Sequence, residues 1–425
     1  MGQAVKFRPN CGIPMEVKGL TALLKSSTMY GHQREEVEMS AQLKAGVIGL
    51  GILGSQHAQF LNDQPEVTVA AVADILRERS QEIGGRVGAQ PYTDYERMLK
   101  EQRLDIAVVA TPDPLHKEPV LAAIQAGVPT IIEEKPMATT VADAEEMLEA
   151  AEKAGARIFL CFFNRSSPLD RATYYVIQQG LLGEIVYGEI HLDDNICVPT
   201  RMWGKKSQEW TAGSSTAHFL LSHVVDFLHW VLAPAEVTEA YAISQQKVLG
   251  YTPDLYDAFL TFDDGSKFRV KAEWIKHIDG LVEFTLSFSG SEGALAYIKE
   301  PGFGEVDGWR ANVSDRVTPE ELLVHQEKLL EQGINVRALL HRPNPMAEEQ
   351  ETGEGNPKLA LEAFAAPKNW WRMARSFVDA VLEDTLTPSS WSEYGPLPTG
   401  IDGLRQTQVV CAIIESAERR QAVTL

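Results

Sequence analysis

The chain has 425 residues, and 59 acidic side chains outnumber 39 basic ones for a formal net charge of −20. That balance disfavours nucleic acid or an anionic membrane as partner, since both are held through clustered Lys and Arg. No stretch approaches the ~18–20 apolar residues that span a bilayer, and the length allows two or three domains.

Residues 1–44 show neither periodicity nor an apolar core before a cleavage site, and Met39 stands just ahead of the first strand-like run. A poorly ordered extension, or an upstream start codon, accounts for them. From there β-branched runs alternate with helical patterns. The strand-like runs are Val47–Leu50, Val67–Ala73, Ile106–Ala110, Thr130–Glu133 and Arg157–Cys161. Helices are predicted between them over Ser55–Asn62, Leu76–Gly84, Asp94–Lys100, His116–Ala126 and Val141–Ala154. This alternation predicts an α/β fold, a doubly wound parallel sheet covered on both faces, over residues 45–163.

After a helix from Pro168 to Gln179 the pattern changes to strands joined by short turns such as Asp264-Gly265. A large, mostly antiparallel, open-faced sheet is expected over residues 164–425. Residues 300–358 read as an insertion with one helix (Pro319–Gln332) and a polar, mobile stretch (His341–Lys358). Helical periodicity returns at Trp370–Glu383 and Leu404–Arg419.

The first turn carries the chemistry. Ala45-Gly-Val-Ile-Gly-Leu-Gly-Ile-Leu-Gly54 places G-x-G-x-x-G between a strand and a helix, and Asp74 closes the next strand twenty residues on. Gly49 allows the tight turn, Gly51 lets backbone approach a pyrophosphate, and Gly54 lets helix and strand pack closely. The N–H groups of Ile52 and Leu53 would face the phosphates, and Asp74 would accept from the adenosine ribose hydroxyls. Asp74 would also repel a 2′-phosphate, so NAD is expected; Arg77 and Arg79 keep NADP open.

Further residues give a family resemblance from Ala45 to Leu425. Ala110-Thr111-Pro112 with His116, Glu134-Lys135-Pro136, Gly180-Leu-Leu-Gly183 and Gly290-Ser-Glu-Gly293 resemble the Gfo/Idh/MocA oxidoreductases, the glucose–fructose oxidoreductase and inositol dehydrogenase group. The resemblance implies an N-terminal Rossmann domain, a nicotinamide cofactor in a cleft, and hydride transfer at a sugar, polyol or related carbon. It also implies a homodimer or homotetramer paired through the uncovered sheet face. Thr111, Pro112, His116, Glu134 and Lys135 would then line the cofactor.

Lys135 follows a parallel strand at its carboxyl end, where such sheets bind ligands. It would bond the substrate hydroxyl and, with a lowered pKa, take its proton. Pro136 fixes the adjoining backbone, by a cis bond or otherwise, and so aims the lysine. The competing account is a surface lysine paired with Glu133 or Glu134.

The family's Asp-x-Gly-x-His-x-x-Asp helix corresponds to Phe219 through Asp226. His223 and Asp226 match; Phe219 and Leu221 replace the first aspartate and the glycine. His223 is therefore the second catalytic candidate, with Ser222 or His218 as substitute polar partner, although His218 reads better as a structural histidine. Asp194, Trp203, Asn164 and Arg165 are expected on the substrate side, an exposed loop arginine being an equal account of Arg165. Carboxylates, amides and a tryptophan suit a polyhydroxylated ligand.

Cys11, Cys161, Cys197 and Cys411 are widely spaced and His191, Asp193 and Asp194 alternate along a strand, so free thiols, a reducing cytoplasm and no metal are expected. Three functions remain: an NAD-dependent dehydrogenase, a redox-neutral NAD-dependent elimination or glycoside cleavage, and a non-catalytic dinucleotide sensor.

Overall fold

The computed structural model describes residues 42–202, 207–300, 305–342, 358–363 and 371–425. The expected N-terminal extension, the polar stretch at 343–357 and Trp203 lie outside the described residues.

The first part alternates β1 (Leu43–Ile48), α1 (Ile52–Asn62), β2 (Val67–Ala73), α2 (Arg77–Val87), β3 (Gln90–Tyr92) and α3 (Tyr95–Glu101). It continues through β4 (Ile106–Val109), α4 (Lys117–Gln125), β5 (Thr130–Glu133), α5 (Val141–Ala154) and β6 (Arg157–Leu160). The strands form a six-stranded sheet in the order β3-β2-β1-β4-β5-β6, all parallel. That order reverses direction beside β1, and the crevice outside the strand ends there is where such sheets take ligands. Strand β1 begins at Leu43, earlier than its apolar run, because pairing with β2 starts at Leu43↔Val67.

Helix α6 (Pro168–Gln178) leads into β7 (Ile185–Asn195), α7 (Cys197–Arg201), α8 (Ser207–Gly213) and α9 (Ser222–Val231), the last preceded by a π-helical turn at Ala217–Leu221. Strands β8 (Val237–Gln245), β9 (Leu255–Phe262), β10 (Lys267–Lys276), β11 (Val282–Gly290) and β12 (Ala294–Glu300) follow. Next come β13 (Glu305–Asn312), α10 (Pro319–Glu331), β14 (Val336–Arg342), β15 (Lys358–Ala363), α11 (Trp371–Leu382), α12 (Gly400–Arg419) and β16 (Val423–Thr424). A ten-stranded sheet results, ordered β14-β15-β13-β12-β11-β7-β10-β9-β8-β16. The stretch read as an insertion thus extends this sheet with three strands, a role that short amphipathic runs interrupted by Gly and Pro did not signal.

Strict alternation gives this sheet two faces. Gly188, Ile190, Leu192, Phe268, Val270, Phe284 and Leu286 are buried, whereas Tyr241, Ile243 and Phe259 point outward and stay exposed. The covered face is knit by edge-on rings, Phe262–Phe268 at 5.6 Å and Phe268–Phe288 at 5.7 Å between centroids. Truncating the fully buried Phe268 to alanine would cost about 3–5 kcal/mol.

Helix α12 joins the two sheets. A capping box between Thr399 and Asp402 starts it, and Leu160 at the end of β6 donates its N–H to the Pro398 carbonyl at 3.0 Å. A Cβ on Gly403 would meet Met137 Sδ at 2.7 Å, so the helix lies directly against the turn after Lys135. At its far end, β16 pairs with β8.

Candidate active site

The glycine loop has the form a dinucleotide needs. Gly49 adopts φ +83°, and a Cβ there would sit 2.6 Å from the Ala110 carbonyl oxygen. A Cβ on Gly54 would lie 1.8 Å from the Gly49 carbonyl oxygen, so only glycine lets α1 pack on the loop. At Gly51, by contrast, a Cβ would meet nothing within 4 Å. The space therefore lies in front of α1, whose first-turn N–H groups at Ile52 and Leu53 have no side-chain cap. Clear space, uncapped donors and the dipole together fit a pyrophosphate. Asp74 closes the loop from β2: Oδ2 accepts from the Leu50 N–H at 2.9 Å and Oδ1 from the Leu76 N–H at 2.8 Å. Arg79 also reaches Oδ2, at 3.2 Å.

Lys135 lies one residue past Glu134 at the end of β5, in a cis peptide with Pro136, and is 7 % exposed. Its ammonium donates to the Phe219 carbonyl at 3.2 Å and rests 3.9 Å from the centre of the Phe219 ring. The residue that replaces the family aspartate is therefore the floor under the lysine. Neither glutamate pairs with Lys135. The buried Glu134 carboxylate bonds His57 Nε2 at 2.8 Å, while Glu133 faces His116 Nδ1 at 3.7 Å. Burial pushes the Lys135 ammonium below its ordinary range, against the opposing pull of Asp113, Glu134 and Asp194.

Around this lysine Asp194 Oδ2 and His223 Nδ1 are buried with no hydrogen-bond partner among the described residues, and the buried Trp274 Nε1 lies against the Asp194 carboxyl, lowering its proton affinity. Asp194 and Trp274 come from the covered face of neighbouring strands, since β7 and β10 pair Asp193 with Glu273. Trp274 stands 6.0 Å from the Phe219 ring between centroids. Burial lifts the Asp194 carboxyl to about 8, with the Lys135 charge working against it. Burial and then Lys135 push His223 well below the usual imidazole value, so its ring is neutral. A neutral imidazole has one donor and one acceptor nitrogen to offer. Asp113, on the turn after β4, accepts from Ser214 Oγ at 2.6 Å and Trp210 Nε1 at 3.3 Å. Sequence reasoning passed over it, although it sits between Pro112 and His116.

The remaining expected residues divide. His116 is clamped by two carbonyls, Nδ1 to Pro136 at 2.7 Å and Nε2 to Thr111 at 2.8 Å, and so ties the Thr111-Pro112 turn to the lysine turn. Asn164 is buried and keeps Nδ2 unpartnered. Arg165, expected beside the substrate or exposed on a loop, is buried and so not an exposed loop arginine. Its Nε and Nη2 bond the buried Asp226 at 3.1 and 2.5 Å, and Nη2 also bonds the partly buried Asp402 at 2.8 Å. Asp226 is thereby a structural ion-pair partner. Ser222, expected on the substrate side, donates its hydroxyl to the Phe219 carbonyl at 3.2 Å. His218 is held between Ser215 Oγ at 2.8 Å and the Thr139 carbonyl at 3.0 Å.

His57, Glu134 and Cys161 gather three donor atoms within 4.8 Å. The 2.8 Å between His57 Nε2 and Glu134 Oε1 is a hydrogen bond, shorter than the about 3.3 Å that a tetrahedral zinc with ligands near 2.0 Å would impose. No disulfide joins Cys161, Cys197 or Cys411. No helix among the described residues is long and apolar enough to cross a membrane.

Comparison with known proteins agrees with this geometry. Residues 43–162 match the oxidoreductase family with an NAD-binding Rossmann fold, and residues 171–296 match the GFO/IDH/MocA C-terminal domain. Inositol 2-dehydrogenase of Salmonella typhimurium is 28 % identical over 193 residues, which is 45 % of this chain and 54 % of that protein. The 2,7-anhydro-N-acetylneuraminate hydratase of Mediterraneibacter gnavus is 27 % identical over 261 residues, 59 % of this chain and 65 % of that protein. The chain thus spans about half the length of the curated relatives it matches. The scyllo-inositol dehydrogenase of Lactobacillus casei, solved with NAD(H) and scyllo-inositol, shares the fold with a TM-score of 0.62 at 18 % identity, covering 90 % of this chain and 99 % of that one. With both halves matched and the glycine loop built as that fold requires, the chain belongs to the Gfo/Idh/MocA family of NAD-binding oxidoreductases.

Proposed function

We propose that this protein is an NAD-dependent dehydrogenase that oxidises, reversibly, a hydroxyl-bearing carbon of a sugar, inositol or sugar-derived acid. The observation that carries the reading is the set of unspent buried polar atoms around Lys135. Among the described residues Asp194 Oδ2 and His223 Nδ1 have no partner, and the Trp274 N–H reaches only the Asp194 carboxyl, whose proton affinity it lowers. Buried polar groups left this way call for an external partner, and a polyhydroxylated ligand supplies both donors and acceptors.

Gly49, Gly51 and Gly54, the start of α1 and Asp74 would hold the dinucleotide, and the nicotinamide would supply a hydride acceptor. Asp74 beside the loop favours NAD over NADP. Lys135, depressed by burial, takes the proton of the substrate hydroxyl as the C–H bond breaks. Asp194 and neutral His223 hold neighbouring hydroxyls, and Trp274 gives one N–H and an apolar face to the ring. In this arrangement Asp194 stands in for the carboxylate that Phe219 lacks. The reading includes a cytoplasmic homo-oligomer formed through the outward Tyr241 and Phe259 face.

The test is a screen of purified protein with NAD or NADP against sugars, inositols and sugar acids, following cofactor reduction by near-ultraviolet absorbance. Turnover with one compound, abolished in Lys135→Ala, is the expected result. Tight NAD binding without net reduction, together with consumption of an anhydro sugar, would favour the redox-neutral alternative that the hydratase relative brings forward.

A further inference from the structure

Arg171, on α6, is 1 % exposed, yet its guanidinium donates no hydrogen bond: Nε and Nη2 are buried without partners. Its Cζ lies over the ring face of Tyr394, 4.2 Å from the centroid. Arg372 at the start of α11 lies near enough to act on it as a like charge. Among the described residues no ion pair joins either arginine to a carboxylate; Glu393 acts on both but is exposed. Trp391, whose ring stands 5.2 Å from Tyr394, keeps its buried indole Nε1 unpartnered as well.

This arrangement is costly. A buried charge without a counter-charge loses several kcal/mol of hydration, and two like charges add to the loss. The chain has 59 acidic side chains against 39 basic ones, yet among the described residues no carboxylate bonds either guanidinium. Burial and then Arg372 push Arg171 down to about 9. The missing partner is an acceptor with negative charge and planar or tetrahedral oxygens, the geometry a guanidinium fork matches.

We propose that Arg171, Arg372 and the Trp391 N–H form a binding site for a small oxyanion, a phosphate or carboxylate group, separate from the glycine loop. The test is calorimetric titration of the full chain with inorganic phosphate at constant ionic strength, with NAD saturating so that the loop is already filled. A second arm uses acetate, and tells a tetrahedral from a planar group. Saturable binding at one site per chain is expected with at least one of them, weakened tenfold or more in Arg171→Met and in Arg372→Met. Melting in anion-free buffer checks that each variant folds; should Arg171→Met fail, the half-buried Arg372→Met carries the comparison. Absence of saturable binding in both arms, or equal binding by wild type and the folded variants, overturns the proposal and leaves the guanidinium to internal water.

Discussion

Replacing Asp194 with asparagine keeps the shape of the side chain and removes its ionisation. The folded carboxyl titrates near 8 against an ordinary 3.8, because burial disfavours the anion. The folded state therefore binds this proton more tightly than the unfolded chain does. Wild-type stability falls as pH rises from about 4 and levels off above about 8, the reverse of an ion-paired aspartate. About four units at 1.36 kcal/mol each set a ceiling near 5–6 kcal/mol, of which roughly 2–3 kcal/mol accrues between pH 5 and 7. Asp194→Asn escapes this loss. Its melting temperature should exceed that of wild type by a margin that widens from pH 5 to pH 8 and is then constant. In turnover assays the variant should also lose a limb of the oxidation rate centred near pH 8. Melting curves that stay parallel across the range would mean that Asp194 ionises as a solvated carboxylate, and the reading of the site around it would fail.

Other outcomes follow from the same geometry. Glu134→Gln removes a carboxylate that raises the Lys135 proton affinity, so the alkaline rise in oxidation rate should move to lower pH; an unmoved or upward-shifted profile would contradict that electrostatic influence. Gly51→Ala has room in the free protein and should leave melting unchanged while weakening NAD tenfold or more in a fluorescence titration, because the added methyl occupies the pyrophosphate's space. Arg165→Met strands the buried Asp226 and should cost about 3–5 kcal/mol in urea unfolding, with recovery in the double variant Arg165→Met/Asp226→Leu. Loss of substrate affinity without loss of stability would instead return Arg165 to the substrate side.

The parallel sheet was legible in the chain because five of its six strands are short β-branched runs joined by periodic helices; β3, Gln90-Pro91-Tyr92, has no such run and went unread. The glycine loop was legible for the same reason: Gly49, Gly51, Gly54 and Asp74 act through neighbours in sequence. The substitution at Phe219 could also be read, but its consequence could not. The carboxylate facing Lys135 arrives from β7, in a register fixed by pairing with β10, and nothing near Phe219 announces Asp194. Arg165 was misjudged on similar grounds, since its partners Asp226 and Asp402 approach only when α9 and α12 pack. Strands β13 to β15 were missed because they are short, Gly308 breaks the first, and Gly- and Pro-rich polar stretches separate them, leaving the sheet edge to recruit them.

Helix α12 makes the chain cross between the two sheets twice, outward through α6 and back at Pro398. A hinge with one strap swings; with two it shears little. Ligand entry should then be gated by side chains and turns rather than by rotation of whole sheets. The geometry of the lysine turn also becomes hostage to the end of the polypeptide. Met137, in the turn that follows Lys135, has Gly403 as its wall, so a tag, a truncation or a frameshift in the last helix would disarm a centre encoded in the first third of the chain.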